Sequence, residues 1–122
     1  MIVEDSPTMC QLYRIVLGQT GRTELVFAHN GVEGLDLAAQ EQNIGLFIVD
    51  INMPQMDGLE FLRKLRSDLG VRDTPAIVIS TEGEEEDFAA ARDAGANAYL
   101  RKPWTPEQLL KTVREVCASA DE

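Results

Sequence analysis

The chain has 122 residues, 44% of them hydrophobic and 26% charged, and a formal net charge of −10. This describes one soluble globular domain with a single core, and no apolar run approaches the roughly 20 residues that span a bilayer. An acidic surface repels nucleic acid and anionic membrane, whereas it suits divalent cations and basic protein partners.

Met1-Ile2-Val3 reads as a first strand, short by a residue or two for a central one, that runs into Glu4-Asp5 with no signal-peptide pattern. Ser6-Pro7 opens a helix as N-cap and first helical residue. Met9, Leu12 and Val16 form its expected buried stripe, and Gly18 and Gly21 end it. The second strand is expected over Thr23 to Ala28, followed by a turn at Asn30-Gly31 and a helix buried through Val32, Leu35 and Ala39. His29 reads as a solvated loop residue with no acidic or Ser partner to make it a base.

Gly45 to Asp50 is the third strand. Its run Leu46 to Val49 suits a strand buried on both faces. Leu59, Leu62, Leu65 and Leu69 mark the third helix, which Gly70 closes. Pro75 to Ser80 is the fourth strand. The acidic run Glu82 to Asp87 then reads as a solvated loop and a helix N-terminus, where negative charge offsets the helix dipole, and the helix continues to Gly95. Ala98-Tyr99-Leu100 is a short fifth strand. After Lys102-Pro103-Trp104, Thr105-Pro106-Glu107-Gln108 has the form of a capping box. The last helix carries Leu109, Val113 and Val116 on its apolar face, with Leu110 and Cys117 beside them. Cys10 and Cys117 lack metal-ligand spacing and read as reduced helix residues.

Strands alternating with helices predict an α/β domain over residues 1–122: a doubly wound parallel sheet of five strands with five flanking helices. All strand carboxyl ends then share one edge, which collects Glu4, Asp5, Asp50, Ser80 and Lys102. Singly, Asp50 reads as a turn cap, Lys102 as a solvated lysine and Ser80 as a hydroxyl bonding local backbone. Polar groups at four strand ends together point to a site. Its three carboxylates repel one another unless a cation joins them. Mg²⁺ fits better than Zn²⁺, with Asp5, Asp50 and a backbone carbonyl such as that of Asn52 as ligands. Lys102 and Ser80 add a positive charge and a hydroxyl. The chemistry implied is in-line phosphoryl transfer with Asp50 as nucleophile.

The motifs Val3-Glu4-Asp5-Ser6, Val49-Asp50-Ile51-Asn52-Met53-Pro54-Gln55-Met56-Asp57-Gly58, Ile79-Ser80 and Lys102-Pro103 resemble the receiver domain of two-component response regulators, above all its single-domain chemotaxis type. The resemblance covers essentially the whole chain. It implies the flavodoxin-like strand order 2-1-3-4-5. It also implies that Asp50 is the phosphoacceptor, that Asp5 binds Mg²⁺ directly and Glu4 through water, and that Ser80 and Lys102 pair with the phosphoryl group. It implies a cis bond before Pro103 and a Tyr99 that swings between exposed and buried positions as Ser80 moves. Asn52 and Glu82 match positions flanking the line of water attack, implying a short-lived phosphoryl group. Thr81 stands where a smaller Ala is common, so its bulk is expected to slow phosphodonor entry. Ile51 and Trp104 replace the Trp and Phe usual in chemotaxis proteins.

The resemblance further implies a histidine kinase as donor and a downstream protein target on the face of the fourth helix, fifth strand and fifth helix. Direct nucleic-acid or membrane binding is not expected, and the protein is expected in the cytoplasm. It would catalyse only its own phosphorylation and dephosphorylation. The chain carries no output domain, so output is expected by protein contact. The alternatives are a receiver fragment of a longer regulator or hybrid kinase, with Ala118 to Glu122 starting a linker, and a phosphorylation-independent pseudo-receiver. A phosphatase of the haloacid-dehalogenase type also uses a strand-end Asp, but it places a second Asp two residues on, where this chain has Asn52.

Overall fold

Apolar strand runs without alternation require cover on both faces, and this chain supplies it with helices. The computed structural model describes residues 1–19, 24–41, 43–53, 56–81 and 83–120. The strands are β1 (Ile2–Val3), β2 (Phe27–Ala28), β3 (Phe47–Asp50), β4 (Ala76–Ser80) and β5 (Ala98–Arg101). The helices are α1 (Pro7–Gly18), α2 (Gly31–Gln40), α3 (Gly58–Ser67), α4 (Glu85–Ala94) and α5 (Pro106–Ala120). The sheet is parallel throughout in the order β2-β1-β3-β4-β5.

The two-residue period of the strands divides the core. Val3, Phe47, Val49, Ala76 and Val78 pack on one side with Ala38 of α2, Phe61, Leu62 and Leu65 of α3, and Ala91 and Ala94 of α4. Ile2, Ile48, Ile77, Ile79 and Leu100 face the other side, against Tyr13, Val16 and Leu17 of α1, Trp104, and Leu109 and Val116 of α5. The helix starts follow their capping signals. Ser6 Oγ accepts from the Met9 N–H at 3.3 Å, and Asp57 Oδ1 accepts from the Glu60 N–H at 2.9 Å. Thr105 and Gln108 exchange bonds of 2.8 and 3.1 Å. Gly95, at φ 110°, ends α4 in the left-handed conformation that glycine adopts without a Cβ penalty.

Some helical faces differ from expectation. In α1, Met9 and Leu12 are only half-buried, while Cys10, Tyr13 and Leu17 join Val16 in the interior. The apolar stripe is wide, and its other half meets the sheet. In α2, Val32 is 48% exposed and Ala39 is exposed, and the contact face is Gly31, Gly34 and Ala38. A Cβ on Gly34 would lie 2.9 Å from the Phe61 ring, so the bare backbone is itself the packing surface. Leu69 lies beyond α3 and is exposed. Strand β2 spans two residues where six were expected; the Val26 carbonyl just before it accepts from the Ile2 N–H at 2.8 Å, and Thr23, like Gly21, lies outside the described residues. His29 does have an acidic neighbour, Glu33 Oε1 at 3.4 Å from Nδ1, one helical turn on and open to solvent. Cys10 is buried, Cys117 is half-buried, and both are thiols.

At the end of the sheet away from Asp50, Arg66 joins three segments. Its guanidinium donates to the carbonyls of Val71 (3.0 Å) and Thr74 (2.6 Å) in the α3–β4 connection, and to that of Gly95 (2.9 Å) at the end of α4. Burial lowers its pKa from the ordinary arginine value. Truncation leaves those carbonyls without a donor, so Arg66→Ala is expected to cost about 2 kcal/mol. Urea unfolding should show this as a lower midpoint with an unchanged slope.

Candidate functional site

Strand register builds the site. Ile2 pairs with Ile48 and Val3 with Val49, so the next step along each strand sets Glu4 beside Asp50 with the same orientation. The Glu4 N–H continues the ladder to the Ala28 carbonyl at 2.9 Å. On the opposite flank Asp50 pairs with Ile79 and Ser80 with Arg101, which brings Ser80 and the following Lys102 to the same edge. The edge therefore collects the five polar residues expected there. Glu4, Asp50 and Ser80 are almost fully buried, at 1, 3 and 0% exposure, while Asp5 is exposed.

Asp50 is held at one oxygen. Its Oδ1 accepts from Lys102 Nζ at 3.0 Å and from the Asn52 backbone N–H at 3.1 Å. Charge-assisted bonds of this kind fix a carboxylate more firmly than neutral ones. Glu4 is less well supplied. Its Oε2 takes a long bond of 3.5 Å from the Ser6 N–H, and its buried Oε1 has no hydrogen-bond donor. Burial, reinforced by Asp50, pushes the Glu4 carboxyl up to about 8. Oxygens of Glu4, Asp5 and Asp50 lie within 4.8 Å of one another. An orphaned buried oxygen inside a tight group of three carboxylates is a donor set of the kind hard divalent cations occupy.

Under the site, Tyr13 is buried against Trp104 with ring centroids 5.2 Å apart. Its hydroxyl pKa is raised by burial and then by Glu4. The Cys10 thiol donates to the Glu4 carbonyl at 3.6 Å, and burial raises its pKa too. The Lys102–Pro103 peptide is cis. Tyr99 is half-buried on β5 and meets Phe88 of α4 edge-to-face at 4.6 Å. Glu82, Pro54 and Gln55 lie outside the described residues.

Two features have weaker signals in the sequence. One is the Asn52 N–H on Asp50, where the side chain draws attention and the backbone does the holding. The other is Gly58, which reads as a turn residue beside Asp57. A Cβ on Gly58 would lie 2.8 Å from the Asp50 carbonyl carbon and 2.9 Å from Ile51 Cα, so the first residue of α3 is pressed against the end of β3. The Gly58 N–H also donates to the Ile51 carbonyl at 3.2 Å.

A doubly wound sheet whose carboxyl edge carries an acidic cluster and a lysine has its candidate site where such folds bind ligands. Residues 1–114 match the family model described as the response regulator receiver domain, and the chain belongs to that family. It is similar to the chemotaxis protein CheY homolog of Campylobacter jejuni, at 35% identity over 116 residues, 95% of this chain and 89% of that one. The chemotaxis protein CheY1 of Helicobacter pylori is 34% identical over 121 residues, 99% of this chain and 98% of its own. Among solved structures, the Vibrio cholerae chemotaxis protein CheY4 aligns with a TM-score of 0.85 at 35% identity, covering 94% of each chain. The protein is thus a CheY-like receiver domain of two-component signalling, a signalling rather than an enzymatic family. No helix among the described residues is long and apolar enough to cross a membrane.

Because the contact at Gly58 is with backbone, no rotamer change relieves it. Gly58→Ala is expected to cost about 1–3 kcal/mol and to displace Asp50. Amide chemical shifts of Asp50 to Asn52 should move together, while those around Arg66 stay in place.

Proposed function

We propose that residues 1–122 form one receiver domain in which Asp50 accepts a phosphoryl group from the phosphohistidine of a partner kinase in the cytoplasm. The observation that carries this is the buried Asp50 carboxylate, held at Oδ1 by Lys102 and the Asn52 N–H and flanked by the carboxylates of Glu4 and Asp5. Mg²⁺, when bound, neutralises the carboxylates and the phosphoryl oxygens. Asp5 and Asp50 would ligate it, with the Asn52 backbone carbonyl as a further ligand and Glu4 reaching it through water. Sequence similarity to CheY proteins supports the same assignment.

In the transfer, a bond forms between phosphorus and an Asp50 oxygen as the bond to the histidine nitrogen breaks, and the histidine leaves as neutral imidazole after taking up a proton. Lys102 is already in contact with Asp50 and is placed to follow the new negative charge. Ser80, one strand away, supplies a hydroxyl to the phosphoryl oxygens. The added charge is the local event, and the loops after β4 and β5 are the elements it biases. Tyr99 lies on β5 against Phe88 of α4, so a shift there reaches the α4-β5-α5 face, where a downstream protein docks.

The test is intact-protein mass after incubation with acetyl phosphate. A Mg²⁺-dependent gain of one phosphoryl group is expected in wild type and none in Asp50→Asn. A folded wild type that binds Mg²⁺ without gaining mass would instead indicate a pseudo-receiver that signals by binding alone. Trp104 is the single tryptophan and packs on Tyr13 beside Glu4, so its fluorescence should follow Mg²⁺ titration. Asp5→Asn, which removes one charged ligand, is expected to weaken Mg²⁺ by about tenfold or more.

A further inference from the structure

Helix α4 is held unevenly along its length. Its buried residues, Ala91 and Ala94, both lie in its last turn. That end is fixed further by Arg66, which donates to the Gly95 carbonyl at 2.9 Å. None of residues 85–90 is buried. The start of the helix and the loop before it are met instead by two side chains of β5. Tyr99 meets the Phe88 ring edge-to-face, with centroids 4.6 Å apart. Arg101, two residues on and so on the same face of the strand, lies over Gly83 in the β4–α4 loop. A Cβ on Gly83 would stand 2.9 Å from Arg101 Cδ and Nε and 3.0 Å from Cζ, so the root of the guanidinium rests on the Gly83 backbone.

The next residue, Lys102, faces the other way in function. Its Nζ is 3.0 Å from Asp50 Oδ1, and its N–H donates to the Ser80 carbonyl at 2.8 Å. One peptide bond therefore separates the side chain on the acceptor from the side chain on the loop that leads into α4.

We infer that Arg101 is a positioning residue that couples the end of β5 to the β4–α4 loop. A displacement of Lys102 towards a phosphoryl group is carried by Arg101 to Gly83, and from there to the start of α4. This rests on Asp50 being the phosphoacceptor. Gly83 has no side chain to turn aside, so the contact acts on the loop backbone directly. The far end of α4 is anchored in the core and at Arg66, so the response is concentrated at the start of the helix. The coupling requires neither movement of the Ser80 hydroxyl nor rotation of the Tyr99 ring.

The test compares amide spectra of each variant before and after phosphorylation by acetyl phosphate in Mg²⁺, with uptake checked by intact mass. Wild type is expected to show shift changes both at Asp50 to Asn52 and at Gly83 to Phe88. Arg101 is exposed and does not touch Asp50, so Arg101→Ala should take up the phosphoryl group at the wild-type rate and keep the changes at Asp50 to Asn52. Its changes at Gly83 to Phe88 should fall by about twofold or more. The three atoms nearest a Cβ on Gly83 all belong to Arg101, and Gly83 is not left-handed, so Gly83→Ala acts by displacing Arg101. It should lower the same response alone and add nothing in the Arg101→Ala background, since the two residues act as a pair.

A phosphorylated Arg101→Ala whose changes at Gly83 to Phe88 match wild type would overturn the inference. So would a loss shared equally by Asp50 to Asn52, which would mark a general structural defect, or full additivity of Gly83→Ala with Arg101→Ala. A phosphorylated wild type with no change at Gly83 to Phe88 sinks this inference alone. A wild type that takes up no phosphoryl group sinks the acceptor role of Asp50, and this inference with it.

Discussion

The site depends on burying a carboxylate that remains available for chemistry. Asp50 ends a strand covered on both faces, where an unpaired charge is expensive. The Lys102 ammonium at 3.0 Å and the Asn52 N–H at 3.1 Å offset that cost at one oxygen. Glu4 receives no equivalent support and instead has its carboxyl pushed up to about 8 by burial and Asp50. The edge is thus asymmetric. The side toward β5 holds a resident cation on a side chain, while the side toward β1 concentrates carboxylate oxygens around a position suited to an exchangeable one.

The two faces of the sheet divide the support for this edge. Tyr13, Trp104 and Leu109 fill the face under α1 and α5, next to Glu4 and Lys102. Phe61, Leu62 and Leu65 fill the other face under α3, whose first residue presses on the Asp50 backbone. Lys102 reaches Asp50 from β5 across β4, so the loops after three strands must hold their positions together for the ion pair to exist. The same arrangement lets a change in charge at Asp50 act on two loops at once.

Much of this was legible because the chemistry sits where apolar runs stop. Asp50, Ser80, Glu4, Asp5 and Lys102 each end or follow a strand, and a parallel sheet gathers such positions without further information. Ser6 and Thr105 read correctly as helix starts because their capping bonds are local. The contact face of α2 was misread because it is built from Gly31, Gly34 and Ala38, and a search for large apolar residues passes over a face whose value is its lack of side chains. Arg66 gave no signal because its partners are mainly backbone carbonyls, which have no residue type. The pairing of Asn52 with Thr81 joins residues 29 apart, and nothing in either residue's type points to the other.

The neighbouring of Glu4 and Asp50 comes from counting: Ile2 faces Ile48, Val3 faces Val49, and the acids follow in step. A single residue inserted or deleted within β1 or β3 would turn one acid to the opposite face of the sheet while leaving composition and hydropathy nearly unchanged. Changes of length are harmless to this pairing only in connections such as the one between α1 and β2. Sequence alignments of such chains are therefore best anchored on these two short strands, and a gap placed inside either one signals a misalignment or a domain that has lost its chemistry.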